Sequence, residues 1–113
     1  MSVKLNTRQV GDVTVIDAAG RITLGEGAST FRDAIRDLVA KGHKKILLNL
    51  SDVSYIDSSG IGELVSGFTT VTNQHGQLKL VGLAKRVKDL LQITKLYTVF
   101  EVFEDEAAAV RSF

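Results

Sequence analysis

Apolar and polar residues alternate from Val3-Lys4-Leu5 to Val10, and again from Val13-Thr14-Val15-Ile16 to Ala19. Successive strand side chains point to opposite faces, so a period of two predicts two strands. Gly11-Asp12 stands between them as a turn pair, which makes the two a β-hairpin. Residues 20–27 lose the alternation and read as loop. Ala28, Phe31, Ala34, Ile35, Leu38 and Val39 then recur at steps of three and four, the core stripe of an amphipathic helix that Gly42 stops. Ile46-Leu47-Leu48-Asn49-Leu50 is short and continuously apolar, as expected of a central strand buried on both faces. Ile61, Leu64, Val65, Phe68 and Val71 mark the inner face of a second helix. Strand is expected over residues 77–81, a short helix over 85–92 with Val87, Leu90 and Leu91 inward, and strand over 99–103. A last helix opens with the acids Asp105 and Glu106 at its positive end and runs to Arg111. Helices alternating with strands after the hairpin require parallel crossovers. The expected fold class is therefore α/β, with a mixed sheet of four to five strands and about four helices.

Composition narrows the function more than the fold. At 113 residues, without proline-rich, repetitive or low-complexity tracts, the chain is expected to be a single domain over 1–113. Its 14 Lys and Arg residues against 13 Asp and Glu leave a net charge of +1. Eight of the cations precede Asp57 and six follow it, with no run longer than Lys44-Lys45 or Lys85-Arg86. Nucleic-acid binders of this size concentrate positive charge on one face, so DNA or RNA is not expected as partner. The absence of cysteine excludes disulfides, thiolate metal sites and a thiol nucleophile. Residues 1–8 hold no apolar leader segment, and no apolar run approaches the roughly 18 residues of a membrane span. A cytoplasmic protein without membrane contact is expected. Asn49-Leu50-Ser51 matches a glycosylation sequon, read as chance beside an apolar run.

Enzymatic patterns fail one by one. Gly25-Glu26-Gly27 starts like a dinucleotide-binding turn, but Thr30 occupies the third glycine position. His43 and His75 each follow or adjoin a helix-ending glycine and read as solvated turn residues, neither metal ligands nor bases. Ser58-Ser59-Gly60 lacks the preceding glycine of a hydrolase elbow. What stands out is the segment over residues 52–64, between the buried strand and the second helix. Asp57, Ser58 or Ser59 is the expected N-cap, and any of them can accept from the free N–H groups of the first turn. The outward positions of the helix read as Gly62, Glu63, Ser66, Gly67 and Thr70. Each exposed interior glycine costs about 1 kcal/mol relative to alanine. A low-relief face beside a serine-bearing loop therefore suggests a surface that another protein approaches closely.

The run Ile46-Leu47-Leu48-Asn49-Leu50 with Val53-Ser54-Tyr55-Ile56-Asp57-Ser58-Ser59-Gly60-Ile61-Gly62 resembles the signature of STAS domains, in particular the stand-alone bacterial anti-sigma factor antagonists. Gly20-Arg21-Ile22 resembles that family's loop after the second strand, and Gly82-Leu83-Ala84 through Leu90-Leu91 its third-helix region. The resemblance implies the STAS fold and partner switching. In that scheme the antagonist binds an anti-sigma factor that is also a serine-protein kinase, which frees the sigma factor. The kinase phosphorylates the antagonist, the complex dissociates, and a PP2C-type serine phosphatase resets it. Carried onto this chain, the phospho-acceptor is Ser58. The partner-binding set is Asp57, Ser58, Ser59, Gly60, Gly62, Glu63, Ser66 and Gly67. No catalytic residue, metal or cofactor is implied, and the protein is expected to be a monomer or weak dimer. The Gly25-Glu26-Gly27 stretch departs from the more polar loop of many relatives. Other uses of the fold remain open at this level: a subunit of a stress-sensing or chemosensory complex, a small-ligand module, or a hydrolase pairing Ser58 with His75.

Overall fold

The computed structural model describes residues 3–113; Met1 and Ser2, the first residues of the segment read for a leader, lie outside the described residues. Its elements are β1 (Val3–Val10), β2 (Val13–Ile22), α1 (Glu26–Ala40), β3 (Lys45–Ile56), α2 (Ser58–Asn73), β4 (Gln77–Val81), α3 (Lys85–Ile93), β5 (Val102–Phe103) and α4 (Glu106–Arg111). The five strands form one sheet in sequence order. The β1–β2 hairpin is antiparallel and every later pairing is parallel, so the sheet is mixed and the fold α/β, as the alternation predicted.

Helices α1, α2 and α3 cover one face. Phe31, Ile35 and Leu38 of α1, Leu64 and Val71 of α2, and Val87 and Leu91 of α3 pack there on Ile16, Ile46, Leu48 and Leu50. The other face is covered by the short helix α4 and the Phe113 that follows it, where Ala109, Val110 and Phe113 meet Val13, Val15, Leu47 and Val81. Ile46, Leu47 and Leu48 are fully buried, which is why this central strand has no polar alternation. Beside α4 the second face turns polar. Arg8 bridges Asp17 (2.6 Å) and Glu106 (2.5 Å), and Asn49 donates to Asp17 (2.8 Å). The Arg8 guanidinium holds both carboxyls below their usual range, and Glu106 and Asp17 in turn raise that of the arginine. The sequon asparagine is thus engaged within the sheet.

Four elements differ from the sequence expectation. Strand β2 continues through Gly20 to Ile22, and α1 begins at Glu26, so the loop between them shrinks to residues 23–25. Gly27 lies inside the helix and not in a flexible loop; a Cβ there would stand 2.7 Å from the Arg21 carbonyl oxygen. Strand β3 continues to Ile56, through residues expected to form a loop. Its register against β2 slips twice, Asp17 opposing Asn49 but Ala19 opposing Asp52, then Gly20 opposing Val53 but Arg21 opposing Tyr55. Each slip puts one extra residue on β3, a bulge that re-aims the next side chain. Buried positions there are Leu50, Val53 and Ile56, a step of three that disguises the strand. Strand β5 is only Val102–Phe103, because the chain comes alongside β4 late; Phe100, expected in the strand, is buried edge-on against Phe68 (5.4 Å between centroids). His43 is half-buried and not a freely solvated turn residue: its Nδ1 lies 2.8 Å from the hydroxyl of buried Thr14. His75 does occupy an exposed turn, with φ of 63°.

Candidate functional site at the start of helix α2

Buried Ile56 ends β3, and Asp57 is the N-cap of α2 with extended backbone angles. One carboxylate oxygen accepts from the Gly60 N–H (2.8 Å) and the other from the Leu24 N–H (2.9 Å). The first closes the turn of the helix. The second ties the β2–α1 loop to the β3–α2 junction, and the Asp57 N–H adds a bond to the Ile22 carbonyl (3.3 Å). The Leu24 N–H, and then that of Gly60, hold the Asp57 carboxyl below the ordinary aspartate range. The junction therefore carries a full negative charge at neutral pH, fixed by two backbone donors, one in the β2–α1 loop and one in the first turn of α2.

Ser58 is the first helical residue and is exposed; Ser59 is half-buried. Gly60 is buried, and a Cβ on it would overlap the Ile22 carbonyl oxygen. Its contribution to any contact is positional, because glycine alone lets α2 start this close to β2. Further along, Gly62 and Ser66 are exposed, and open space surrounds the position of a Gly62 Cβ. Ser58, Gly62 and Ser66 follow each other at steps of four and form one outer ridge. Glu63, expected outward, is half-buried and ion-paired to Arg32 of α1 at 3.2 Å. Gly67, expected on the outer face, is buried in the α1–α2 seam, with a Cβ position 3.6 Å from Ile35 and 3.8 Å from Phe31. It cannot contact a partner. The structure thus brings Asp57, Ser58, Ser59, Gly62 and Ser66 to one surface, places Glu63 at its margin, and withdraws Gly60 and Gly67 from it.

Two neighbours of the site were not foreseen. Leu24, in the loop bonded to Asp57, is 79% exposed, and Tyr55, two residues before Asp57, is 38% exposed. An apolar residue between Thr23 and Gly25, in a stretch without periodicity, was the available signal. Neither histidine accompanies Ser58. His75 lies beyond the far end of the 16-residue α2, about 24 Å along its axis. His43 lies before the opposite end of β3. The hydrolase reading therefore has no geometry to support it. Among the described residues no helix is long and apolar enough to cross a membrane.

These features define an α/β domain whose central strand delivers a serine-tipped helix start to the surface, stitched to the neighbouring loop by one aspartate. The chain belongs to the STAS domain family, whose profile matches residues 4–109. It is 31% identical over 102 residues to the anti-sigma-B factor antagonist of Bacillus subtilis, covering 90% of this chain and 92% of that protein. The TM1081 protein of Thermotoga maritima has a similar crystal structure (TM-score 0.89, 27% identity, 96% of this chain and 92% of that one). So does an anti-sigma-factor antagonist (STAS) domain protein of Planctomyces limnophilus (TM-score 0.79, 25% identity, 96% of each chain).

Proposed function

We propose that this chain acts as one STAS domain over residues 1–113 and is an anti-sigma factor antagonist controlled by phosphorylation of Ser58. The unphosphorylated form binds an anti-sigma factor that is also a serine-protein kinase and frees the sigma factor. A PP2C-type serine phosphatase restores it. The chain is the substrate and ligand of these proteins in the cytoplasm, with no cofactor, nucleic acid or membrane involved. The observation that carries this reading is the exposed Ser58 at a helix start whose cap, Asp57, is held by the Gly60 and Leu24 N–H groups. The likeness to an anti-sigma-B factor antagonist over nine-tenths of the chain supports it.

The same geometry explains how a phosphate would act. A phosphoserine brings about −1.5 to −2 charges, which a helix N-terminus tolerates. The fold then persists and the change is confined to the surface. Against one partner acid at ~5 Å, with an effective dielectric near 20, each unit charge costs roughly 3 kcal/mol before screening. A third of that, with the cost of desolvating the phosphate, weakens a complex about tenfold or more. The test is phosphorylation by a purified kinase-type anti-sigma factor with ATP, the site mapped by mass spectrometry and the affinity measured before and after. Phosphate on Ser58 and a complex weakened at least tenfold are expected, and Ser58→Ala should bind without being released. Phosphate on Ser59 and not Ser58, or an unweakened complex after stoichiometric modification, defeats the assignment.

A further inference from the structure

Beside this site lies a groove of about 540 Å³ lined by Tyr55, Lys85, Arg86, Asp89, Leu90 and Ile93. We infer that it is a second docking site for the same partner, and that it receives a segment of the kinase-type anti-sigma factor bearing an apolar side chain flanked by an acidic one. This inference rests on the partner proposed above and adds the chemistry by which that partner is recognised.

The floor of the groove is apolar beyond what the core requires: Leu90 packs against the core, but Ile93 does not. Helix α3 meets the core through buried Val87 and Leu91, while Ile93 is 78% exposed. An exposed β-branched residue in the last turn lowers helix propensity and contributes nothing to packing. Tyr55 is turned outward by the second β3 bulge and forms the opposite wall. The rim is basic. Lys85 is paired with Asp89 at 2.9 Å, whereas Arg86 is exposed and has no ion pair among the described residues. An apolar floor with an unpaired guanidinium above it is complementary to a leucine- or phenylalanine-type anchor next to a carboxylate. A second copy of this chain, paired face to face, fits less well, because the one carboxylate lining the groove, Asp89, is already paired with Lys85 and leaves none to meet Arg86. Tyr55 lies two residues before the Asp57 cap and α3 follows the carboxyl end of β4, so groove and Ser58 open at the same end of the parallel strands. A partner seated over Ser58 reaches the groove without rearrangement.

The two parts of the groove predict different kinetic effects. The Arg86 charge acts mainly on encounter, and the Ile93 contact mainly on dissociation. The experiment measures association and dissociation rates of the unphosphorylated full chain with the purified kinase-type anti-sigma factor that modifies Ser58. Wild type, Ile93→Asp, Ile93→Ala, Arg86→Glu and, as a charge control at the opposite end of the parallel strands, Lys41→Glu are compared. Ile93→Asp is expected to weaken binding tenfold or more through faster dissociation, with Ile93→Ala intermediate. Arg86→Glu is expected to slow association several-fold at low salt, an effect that shrinks as salt rises, and Lys41→Glu is expected to match wild type. Binding of Ile93→Asp and Arg86→Glu within twofold of wild type overturns the groove. So does an Ile93→Asp chain that loses self-association in sedimentation while binding the kinase normally, since the occupant is then a second copy. Failure of the switch reads differently: there the wild-type complex ignores Ser58 phosphate, or no kinase-type anti-sigma factor binds at all.

Discussion

Helix α2 carries three glycines, and two of them face the opposite way from the third. Gly60 and Gly67 lie in the seam against Ile22, Ile35 and Phe31, while Gly62 faces open space. At Gly60 the missing side chain is required by a backbone already in place, whereas at Gly67 a methyl would meet only packed side chains at ordinary contact distance. On the outer ridge nothing within the molecule requires a glycine, so the small residue stands as a property of the surface. The distinction separates what α2 does for the fold from what it offers to a partner, and each side can be broken alone.

The largest effect is expected at Gly60. Its absent Cβ would occupy the Ile22 carbonyl, a backbone atom held by the sheet, so no rotamer change relieves the clash. Gly60→Ala should cost about 3 kcal/mol, the upper end of overpacking penalties, read as a fall in the urea midpoint with unchanged slope. A variant as stable as wild type would mean that α2 can shift at its start. Gly67→Ala marks the tolerant end of the same seam, because its Cβ would find ordinary contacts of 3.6–3.8 Å with flexible Ile35 and Phe31 atoms. It is expected to stay within about 1 kcal/mol of wild type, the helix-propensity gain offsetting small shifts in packing.

The ridge comes next. Ser66→Arg adds bulk and charge at an exposed position in line with Ser58 and Gly62. Partner affinity should fall tenfold or more, about 1.4 kcal/mol, while the thermal midpoint moves by no more than a degree or two. Normal binding would remove this stretch of α2 from the interface.

Much of the seam was legible in the sequence, and the reason the remainder was not is instructive. Gly60, Leu64, Gly67 and Val71 follow at steps of four, three and four, the spacing of one helix face. That period alone places Gly67 inside, yet it reads as outward, because glycine has no side chain whose hydropathy marks it as a core residue. The cap at residue 57 was legible as one of three candidates; only the positions of the Leu24 and Gly60 N–H groups select Asp57. The strand over residues 52–56 was hidden by bulges, which turn a period of two into a step of three. Groove residues such as Ile93 were hidden because an exposed apolar side chain has no period that distinguishes it from a core position.

Asp57 joins the two regions, and its titration tests the joint. Its carboxyl is depressed in the folded chain by the Leu24 and Gly60 N–H groups. The stabilisation is therefore complete above the unfolded aspartate value of about 3.9 and is lost as pH falls through the lower folded value. Asp57→Asn keeps one acceptor oxygen and replaces the other by a donor, so one of the two bonds is lost. The thermal midpoint at pH 7 should fall by a few degrees, and the part of the acid dependence due to this carboxylate should disappear. If the Asp57→Asn variant keeps the wild-type acid profile, the tether contributes nothing to stability.

The smallest effect, and the most discriminating, is Gly62→Ala. Nothing in the molecule approaches the new methyl group, and alanine is favoured over glycine inside a helix by about 1 kcal/mol. The variant should be more stable by up to that amount. If a partner closes on the ridge as tightly as the bare Cα permits, the same methyl must be accommodated in the complex, and affinity should fall even as stability rises. Opposite signs in the two measurements on one conservative substitution would separate a surface kept small for contact from one that is small by accident. A rise in stability with unchanged affinity would keep Ser58 as the switch and move the close approach elsewhere, toward Leu24 and the groove beside Tyr55.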